Sequence, residues 1–421
     1  MGADASKRSN LKDNRNHKYI DTKVILLFFS TIGLAPFKMV ANDLVGTDKR
    51  TCQTPVSVKF VDSYFNLIYN AFLIVANIFL STISIERIFE RQSVLRTPFL
   101  STFDAAQAVF GVALMNAIWL YTSMKRNHMV RLINRLVKVD STIRRLSNSQ
   151  DIGIRRLRVF GISTALTILW VVLVVSDAKA NNTVILDWCN DIVPAFVIAH
   201  FMLQYALMVK IVEIQFRNLN GAIIELLKSS TIRTFRPIAI HGEIALMNFD
   251  YCPKIVDFRR AHNMLYAIGS DVAEFYSVPI LFVIPLCCVE IVYNSYWGLM
   301  PLTLSLDIDS TFVVSSAITW VLVLIVPIAI LTKGVDNITN EMRNTAGAIY
   351  MVLDRANLSR DDKAEFEQFS VELIHRKIYF TAYGLFSLDF PLVHSIISMT
   401  VTYLVILLQF QTSIVESKDS D

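Results

Sequence analysis

The chain has 421 residues, of which 53% are hydrophobic and 18% are charged, with a formal net charge of +4. A soluble domain usually carries about 25% charged residues, so this composition excludes an ordinary water-soluble fold and favours one whose solvent is the lipid bilayer. The five cysteines are odd in number and lack metal-ligand spacing, and the seven histidines form no metal-binding pair. We therefore predict no disulfide framework, no metal site and no cofactor, and expect neither an enzyme nor a nucleic-acid-binding protein.

The N-terminal region begins with 23 polar and charged residues, and no apolar stretch with a small-residue cleavage site follows them. We expect no cleaved signal peptide. The next segment, Val24–Val40, is apolar but short, and Gly33 and Pro36 interrupt it. We predict that this segment lies at the cytoplasmic interface without crossing the bilayer.

Seven later segments are long enough to cross the hydrocarbon core, which takes about 20 mainly apolar residues. In chain order these predicted spans are Val58–Ile85, Phe99–Met124, Val159–Ala178, Ile192–Ile211, Phe275–Leu299, Thr311–Thr332 and Phe390–Phe410. The pattern predicts an all-α membrane protein with seven transmembrane helices.

The distribution of Lys and Arg predicts how the spans are oriented, because basic residues concentrate in cytoplasmic loops. Nine basic residues precede the first span, ten separate the second from the third, and seven lie in each of the loops after the fourth and sixth. The opposite loops carry three, one and none, and the C-terminal tail carries one. We therefore predict an intracellular N-terminus and an extracellular C-terminus. Asn181 then lies in an outer loop within a glycosylation sequon, and the sequence leaves open whether it is used.

A single membrane domain accounts for the chain, and we expect four regions within it. They are a cytoplasmic N-terminal segment (1–57), spans one to six with their cytoplasmic extensions (58–332), further cytoplasmic helices (333–388), and the last span with a short extracellular tail (389–421). Apolar residues recur at helical spacing in Ile211–Lys228 and Asp361–Tyr379, so both are predicted to be helices that pack together beneath the bilayer. No internal repeat supports a transporter built from inverted repeats.

A seven-helix receptor coupled to G proteins is an alternative class. Such a receptor has its N-terminus outside the cell, opposite to the orientation predicted here. The third span is followed by Asp177-Ala178-Lys179 rather than an acidic–Arg–aromatic sequence, and the seventh lacks an Asn-Pro-x-x-Tyr sequence. Topology and motifs therefore both argue against this class.

The seventh span carries a sparse set of polar residues on one side. Ser395, Ser398, Thr402 and Gln409 fall within about 60° of one another at 100° per residue. Such a stripe suits hydrogen bonding between helices of a bundle, and it equally suits the wall of a pore. A single stripe cannot enclose a conduit, so a pore requires several copies around an axis. The predicted pore and gate residues are Ser395, Ser398, Thr402, Val405, Ile406, Gln409 and Phe410.

The same helix carries a family signature. Residues 402–410 read Thr-Tyr, five hydrophobic residues, Gln-Phe, and Gly384-Leu385-Phe386-Ser387-Leu388-Asp389 leads into the helix. Both sequences resemble insect gustatory receptors. The resemblance implies a homotetrameric, ligand-gated, non-selective cation channel in the plasma membrane of gustatory or other sensory neurons. It also implies a pore lined by the last helix, a gate at Gln409 and Phe410, and an anchor domain of cytoplasmic helix ends. Insect odorant receptors share this architecture but usually lack the full signature, and they are the nearest alternative.

The resemblance further implies a pocket for a small-molecule tastant, open to the outside and enclosed by the second to sixth spans of each subunit. The outer halves of these spans supply the predicted pocket residues Gln107, Trp170, His200, Glu290, Tyr293, Asn294, Trp297, Thr319 and Trp320. Tyr293 and Trp297 also fit an interfacial aromatic belt. A carboxylate inside the membrane costs about 2.5–3.5 kcal/mol, so Glu290 needs a partner, and we hypothesise that it faces the pocket. The sequence does not identify the ligand or decide whether related receptors are required.

Overall fold

The computed structural model describes residues 23–42, 57–90, 98–146, 156–181, 186–234, 252–303, 310–355 and 359–419. The helices are α1 (23–31), α2 (Tyr64–Glu90), α3 (Pro98–Met124), α4 (Arg126–Leu146), α5 (Arg156–Asn181), α6 (Ile192–Thr234), α7 (Cys252–Thr303), α8 (Ser310–Arg355), α9 (Arg360–His375) and α10 (Phe390–Asp419). A 3-10 helix, Asp187–Cys189, precedes α6. Two antiparallel strand pairs complete the described part: β1 (Phe37–Asn42) with β2 (Ser57–Asp62), and β3 (Thr381–Ala382) with β4 (Phe386–Ser387).

Within the described residues, 6 helices are long and apolar enough to cross a membrane. These segments are Tyr64–Ile85, Thr102–Met124, Asp187–Leu226, Ile255–Pro301, Thr311–Asp354 and Phe390–Gln411. They coincide with every predicted span except the third, which lies within α5, a helix outside that set. The helical fold class is confirmed, whereas the third span, and with it the count of seven, and the orientation of the termini stay predictions.

Residue contacts divide the chain into two compact units. The first comprises Met1–Asn134 and Val184–Phe201, and the second comprises Arg135–Thr183 and Met202–Asp421. In the first unit, α2 packs against α3 and against the 3-10 helix. The Asn70 side chain joins α2 to α3 by donating a hydrogen bond to Ser123 Oγ at 3.0 Å.

The segment predicted to lie at the interface begins as α1 and then turns. Gly33 ends the helix at a φ of 85°, which favours glycine, and the Leu34 amide donates to the Phe29 carbonyl at 2.8 Å. After this turn, β1 pairs with β2, and Phe37 lies opposite Asp62. The segment is therefore not one continuous helix, in agreement with the prediction that it does not cross the bilayer.

The predicted start of the first span is wrong. Residues 58–62 belong to β2, and the helix begins at Tyr64. The Ser63 hydroxyl accepts a hydrogen bond from the Asn66 amide at 3.4 Å, as a helix N-cap does. Because Val58, Phe60 and Val61 are apolar, hydropathy alone merged the strand with the helix that follows.

The second unit is a helical bundle in which α7 packs against α8, α5 packs against α8, and α10 packs against both α7 and α8. Tyr205 of α6 stacks on Tyr276 of α7, with ring centroids 4.3 Å apart and planes inclined by 10°. Both rings are fully buried. Aromatic stacking of this kind fixes how the long helices lie side by side.

Three helices of this bundle are far longer than a membrane crossing needs. The lengths of α6, α7 and α8 are 43, 52 and 46 residues. At about 1.5 Å per residue each exceeds the roughly 30 Å hydrocarbon core by a factor of about two. The prediction that Ile211–Lys228 continues the fourth span as a helix is confirmed. The helix predicted over Asp361–Tyr379 is α9, which Ser359 caps by accepting a hydrogen bond from the Asp362 amide.

Ion pairs hold the helix extensions together. Glu213 of α6, with a fully buried side chain, lies 2.6 Å from Lys210 and 2.7 Å from Arg217. Arg217 also pairs with Glu341 of α8 at 2.8 Å. Arg259 of α7 pairs with Glu365 of α9 at 3.1 Å. The extensions thus pack against one another, as the helical spacing predicted.

Candidate pore helix and ligand pocket

The helix α10 has one face packed against the rest of its unit. Val393, Ile396 and Thr400 are buried on this face, and they follow the spacing of a single helix side. Beyond them, the Tyr296 hydroxyl of α7 donates a hydrogen bond to Gln411 Oε1 at 2.9 Å. The packed face therefore fixes the rotation of α10 about its own axis.

All seven predicted pore and gate residues are exposed in the single chain. At 100° per residue their polar members, Ser395, Ser398, Thr402 and Gln409, lie about 180° from the packed face. Phe410 is 65% exposed. The stripe therefore faces away from the helices of its own chain.

The hydroxyls on this stripe bond within α10. Ser395 Oγ donates to the Pro391 carbonyl at 3.1 Å, and Thr402 Oγ1 donates to the Ser398 carbonyl at 2.9 Å. Neither bond joins α10 to another helix of the chain. A hydroxyl that returns to its own backbone presents its oxygen as an acceptor on an otherwise apolar surface. The stripe is predicted either to bond other helices of the bundle or to line a pore. The described hydrogen bonds of its hydroxyls do not join α10 to another helix of the same subunit.

The sequence that leads into α10 forms a tight hairpin between β3 and β4. Tyr383 and Gly384 have φ values of 51° and 77°, and the Leu385 amide donates to the Ala382 carbonyl at 3.0 Å. Two successive left-handed residues make the turn that suits the twist of a hairpin, and glycine takes the second at no steric cost. The Tyr383 amide donates a hydrogen bond to Ser277 Oγ of α7 at 2.7 Å. The hairpin therefore attaches the segment before α10 to α7.

The predicted pocket residues divide between the two units. Gln107 of α3 and His200 of α6 belong to the first unit, and the other seven belong to the second. His200 is 5% exposed, and its Nδ1 atom lies 2.7 Å from the Phe196 carbonyl oxygen. Its ring packs on those of Phe196 and Phe28. Gln107 Oε1, by contrast, is buried without a hydrogen-bond partner and offers a free acceptor.

In the second unit, α5 and α8 carry three of the predicted pocket residues, Trp170, Thr319 and Trp320. Trp320 is buried, and its indole nitrogen lies 3.5 Å from Asp177 Oδ1. Trp170, seven residues before Asp177 on the same side of α5, is also buried. Thr319 is buried and donates to the Ser315 carbonyl of its own helix at 2.7 Å. The contact between Trp320 and Asp177 joins α5 to α8. Asp177 is a polar group outside the set of predicted pocket residues.

Glu290 has a neighbour on its own helix. The Asn294 side chain donates to the Glu290 carbonyl at 2.8 Å and lies 3.5 Å from Glu290 Oε2. One turn further on, Trp297 has its ring 6.2 Å from Tyr293, and its buried indole nitrogen has no hydrogen-bond partner. The segment Glu290–Trp297 therefore combines a carboxylate, an amide and a free indole donor along one helix.

A second polar stripe, on α2, is absent from the sequence-based predictions. Asn66, Asn70, Asn77, Ser81 and Ser84 lie on one side of this helix at 100° per residue. All but Asn66 are buried, whereas the opposite side exposes large apolar residues such as Phe72 and Phe79. The polar residues of this stripe are spaced by four, seven and eleven positions, which is the spacing of one helix side. Hydropathy averaged over a window does not reveal this pattern.

Sequence comparison relates the whole chain to known receptors. A model of the family described as 7tm Chemosensory receptor matches residues 22–414. Gustatory receptor 28a of Drosophila melanogaster is 24% identical over 432 residues, which cover 92% of this chain and 90% of that protein. Gustatory receptor 28b of the same species is 27% identical over 156 residues, and this match covers 36% of this chain and only 33% of that protein.

Structural comparison agrees with the sequence. The olfactory receptor OR5 from Machilis hrabei matches with a TM-score of 0.57 at 13% identity, covering 94% of this chain and 99% of that one. The structure of the same receptor in complex with eugenol matches with a TM-score of 0.56. At this identity the likeness concerns the fold alone. With the family match across almost the full length, it follows that the chain belongs to the 7tm chemosensory receptor family.

Proposed function

We propose that this receptor is a gustatory receptor that acts as a tastant-gated, non-selective cation channel in the plasma membrane of gustatory or other sensory neurons. The observation that carries the proposal is the orientation of α10. Its polar stripe is exposed and lies opposite the face that packs on α7 and α8. A polar stripe that faces away from its own subunit suits a water-filled path shared with other subunits.

The proposed assembly is a homotetramer with α10 of each subunit around the central axis. One stripe cannot surround a conduit, and copies related by a rotation axis can. No charged residue lies on the stripe between Ser395 and Gln409, so we expect weak selection among cations. A ring of exposed Phe410 side chains would close the path by excluding water, and Gln409 would line it when open.

The proposed topology has the N-terminus inside and the C-terminus outside. The basic loops and the helix extensions then share the cytoplasmic side, where residues 333–388 form an anchor between subunits. Residues 1–57 are the cytoplasmic N-terminal segment, 58–332 hold spans one to six, and 389–421 hold the pore helix and its tail. The ion pairs among α6, α7, α8 and α9 support a rigid anchor.

In the proposed mechanism, α7 joins ligand binding to the gate. Glu290, Asn294 and Trp297 offer hydrogen-bonding groups to a small amphipathic or polyhydroxy ligand. Tyr296 on the same helix bonds Gln411, two residues beyond Gln409. A ligand that binds the open state more tightly shifts the population toward it, and movement of α7 would reach the end of α10 through this bond.

Recording from cells that express the chain alone tests the channel directly. Panels of tastants and odorants should evoke a current whose selectivity or rectification changes in Gln409→Ala. Leu407→Ala removes side-chain volume at nearly the same depth on α10, away from the stripe, and should leave those properties unchanged. A response that requires a G protein would contradict the proposal and favour a metabotropic receptor.

Substitution of Glu290 tests the pocket. We expect Glu290→Gln to raise the half-activating ligand concentration about tenfold, since a hydrogen bond to a charged group is worth about 1.5–3 kcal/mol. Glu274→Gln alters an exposed carboxylate on the same helix and serves as the control. An unchanged ligand response at normal surface expression would remove Glu290 from the pocket.

A further inference from the structure

The helix α4 is the most strongly charged element that the proposed function does not use. It begins at Arg126, directly after α3 ends at Met124, and the Lys125 carbonyl accepts from the His128 amide at 3.0 Å across the turn. The 21 residues of α4 include five Arg, one Lys and a single acidic residue, Asp140. With histidine neutral, the helix carries a net charge of +5.

The two sides of α4 differ in character. One side is buried, and its members are Met129, Leu132, Leu136, Val139 and Ile143. On the other side Arg131, Lys138 and Arg145 are exposed at intervals of seven residues. At 100° per residue these three lie within about 40° of one another and about 140° from the buried side. They form a single cationic stripe, here called the α4 stripe.

The charges on α4 divide into paired and unpaired groups. Arg126 pairs with Asp62 at 3.5 Å, Arg135 pairs with Asp271 at 2.8 Å, and Arg144 pairs with Asp140 at 2.9 Å. Arg131, Lys138 and Arg145 form no ion pair with any residue that the structure describes. The internal pairs thus neutralise the flanks of the helix and leave the α4 stripe uncompensated.

Two contacts fix the depth of α4 relative to the predicted spans. Asp271, the partner of Arg135, precedes the fifth span by four residues. Gln215, which donates to Asp140 Oδ1 at 3.0 Å, follows the fourth span by four residues. Four helical residues rise about 6 Å, so both contacts lie about one turn from the membrane boundary. Because Arg135 and Asp140, which make these two contacts, lie five residues apart on α4, this part of the helix runs along the boundary rather than away from it.

We propose that the α4 stripe binds the headgroups of anionic phospholipids in the cytoplasmic leaflet. An uncompensated row of Lys and Arg on an amphipathic helix beside a transmembrane span complements a negatively charged lipid surface. Long cationic side chains reach from a helix at the boundary into the headgroup layer. The proposal depends on the proposed topology only for the choice of leaflet.

Lipid retention by the full chain tests this inference. The purified receptor is reconstituted in phosphatidylcholine mixed with phosphatidylserine, extracted again, and its bound lipids are quantified by mass spectrometry. We expect phosphatidylserine to be enriched over the bulk mixture and the enrichment to fall with added salt, which screens exposed charges. In a variant with Arg131→Gln, Lys138→Gln and Arg145→Gln, the enrichment should be lower than in the wild type by about tenfold or more.

A second variant matches the change in net charge. Arg343→Gln, Lys363→Gln and Lys377→Gln neutralise three exposed cations, which lie in α8, in α9 and just after α9, and enrichment should persist. The inference fails if the wild type shows no enrichment, if both variants lose it equally, or if soluble glycerophosphoserine competes as well as the lipid. Equal melting temperatures in phosphatidylcholine control for folding. Since no current is recorded, a channel that fails to open leaves this result unaffected.

Discussion

The helices α2 and α10 each carry a stripe of small polar residues through an apolar sequence, and the two stripes differ in their burial. The α2 stripe is buried, whereas the α10 stripe is exposed on the side away from its packed face. Polarity alone therefore does not distinguish a structural stripe from a candidate pore. The distinction depends on which side of the helix packs against its own chain.

Asn66 and Asn70 form the half of the α2 stripe that the predicted topology makes the inner one, and they bond the irregular backbone that follows α1. Asn66 Nδ2 lies 3.4 Å from the Ala35 carbonyl, and Asn70 Nδ2 donates to the Gly33 carbonyl at 2.7 Å. Trp119 of α3 adds a bond from its indole nitrogen to the Ile32 carbonyl at 2.8 Å. Non-helical backbone is tolerated among membrane helices only where its polar groups are satisfied, and here side chains satisfy them.

The outer half of the α2 stripe lacks such partners. Asn77 Nδ2, Ser81 Oγ and Ser84 Oγ are buried without a hydrogen bond. Each buried unsatisfied group costs about 1–3 kcal/mol. The inner half therefore stabilises the first unit and the outer half does not, although the residue types are alike.

The largest expected effect is at Asn70. Asn70→Leu removes two buried hydrogen bonds and leaves the Gly33 carbonyl without its side-chain donor, so the free energy of unfolding should fall by about 3 kcal/mol. The melting temperature of the purified receptor in detergent measures this change. Asn344→Leu, on an exposed position of α8, is the matched control and should change little. Equal melting temperatures for both variants would contradict a structural role for the stripe.

A smaller loss is expected at Gly33. An added Cβ would lie 2.8 Å from Trp119 Nε1, and the φ of 85° is unfavourable for alanine. Gly33→Ala should therefore lower the free energy of unfolding by about 2 kcal/mol. Gly347→Ala provides the control, because nothing lies within 4 Å of its added Cβ and it sits in the helix α8. The same thermal melts compare the two, and a stable Gly33→Ala protein would mean that the turn after α1 tolerates other conformations.

The outer half of the α2 stripe should respond in the opposite direction. Ser84 is fully buried and its hydroxyl is unsatisfied. Ser84→Ala removes that hydroxyl with little loss of volume, and we expect a gain of up to about 1 kcal/mol in stability. A clear loss of thermal stability would show that the hydroxyl has a partner, such as a water molecule, and that the two halves of the stripe are alike.

The smallest change in stability is expected on the α10 stripe. Ser398 is exposed and away from the packed face, so Ser398→Ala should alter the stability of the chain by less than about 0.5 kcal/mol. Its effect should instead be on single-channel conductance, measured by patch recording. A large loss of thermal stability with normal conductance would place Ser398 in the structural class to which Asn70 belongs.

Hydropathy predicted the helices well where an apolar run coincides with a helix. The predicted seventh span begins at Phe390, where α10 begins, and the predicted second span ends at Met124, where α3 ends. The predicted first span begins too early because Val58, Phe60 and Val61 of β2 are apolar. Local composition contains no information on pairing with β1, which lies more than a dozen residues earlier along the chain.

The candidate site was predictable only in part, for the same reason. The spacing of Ser395, Ser398 and Thr402 fixed a shared side of α10, yet the packed side became known only from the positions of α7 and α8. The sequence does not predict the hydrogen bond between Tyr296 and Gln411, because these residues lie 115 positions apart. Long-range contacts of this kind depend on the tertiary fold, which a periodicity does not encode.

The accessibility of single cysteines to a charged, water-soluble thiol reagent tests the central claim most directly. Cysteine is introduced at Ser398, Thr402 or Gln409 of the α10 stripe, at Ile396 or Thr400 of the packed face, and at Ser84 of the α2 stripe. During tastant-evoked current, the reagent should reduce the current of the α10-stripe variants and leave the other three and the wild type unchanged. Modification of the packed-face or α2 cysteines with no effect at the α10 stripe would contradict the account.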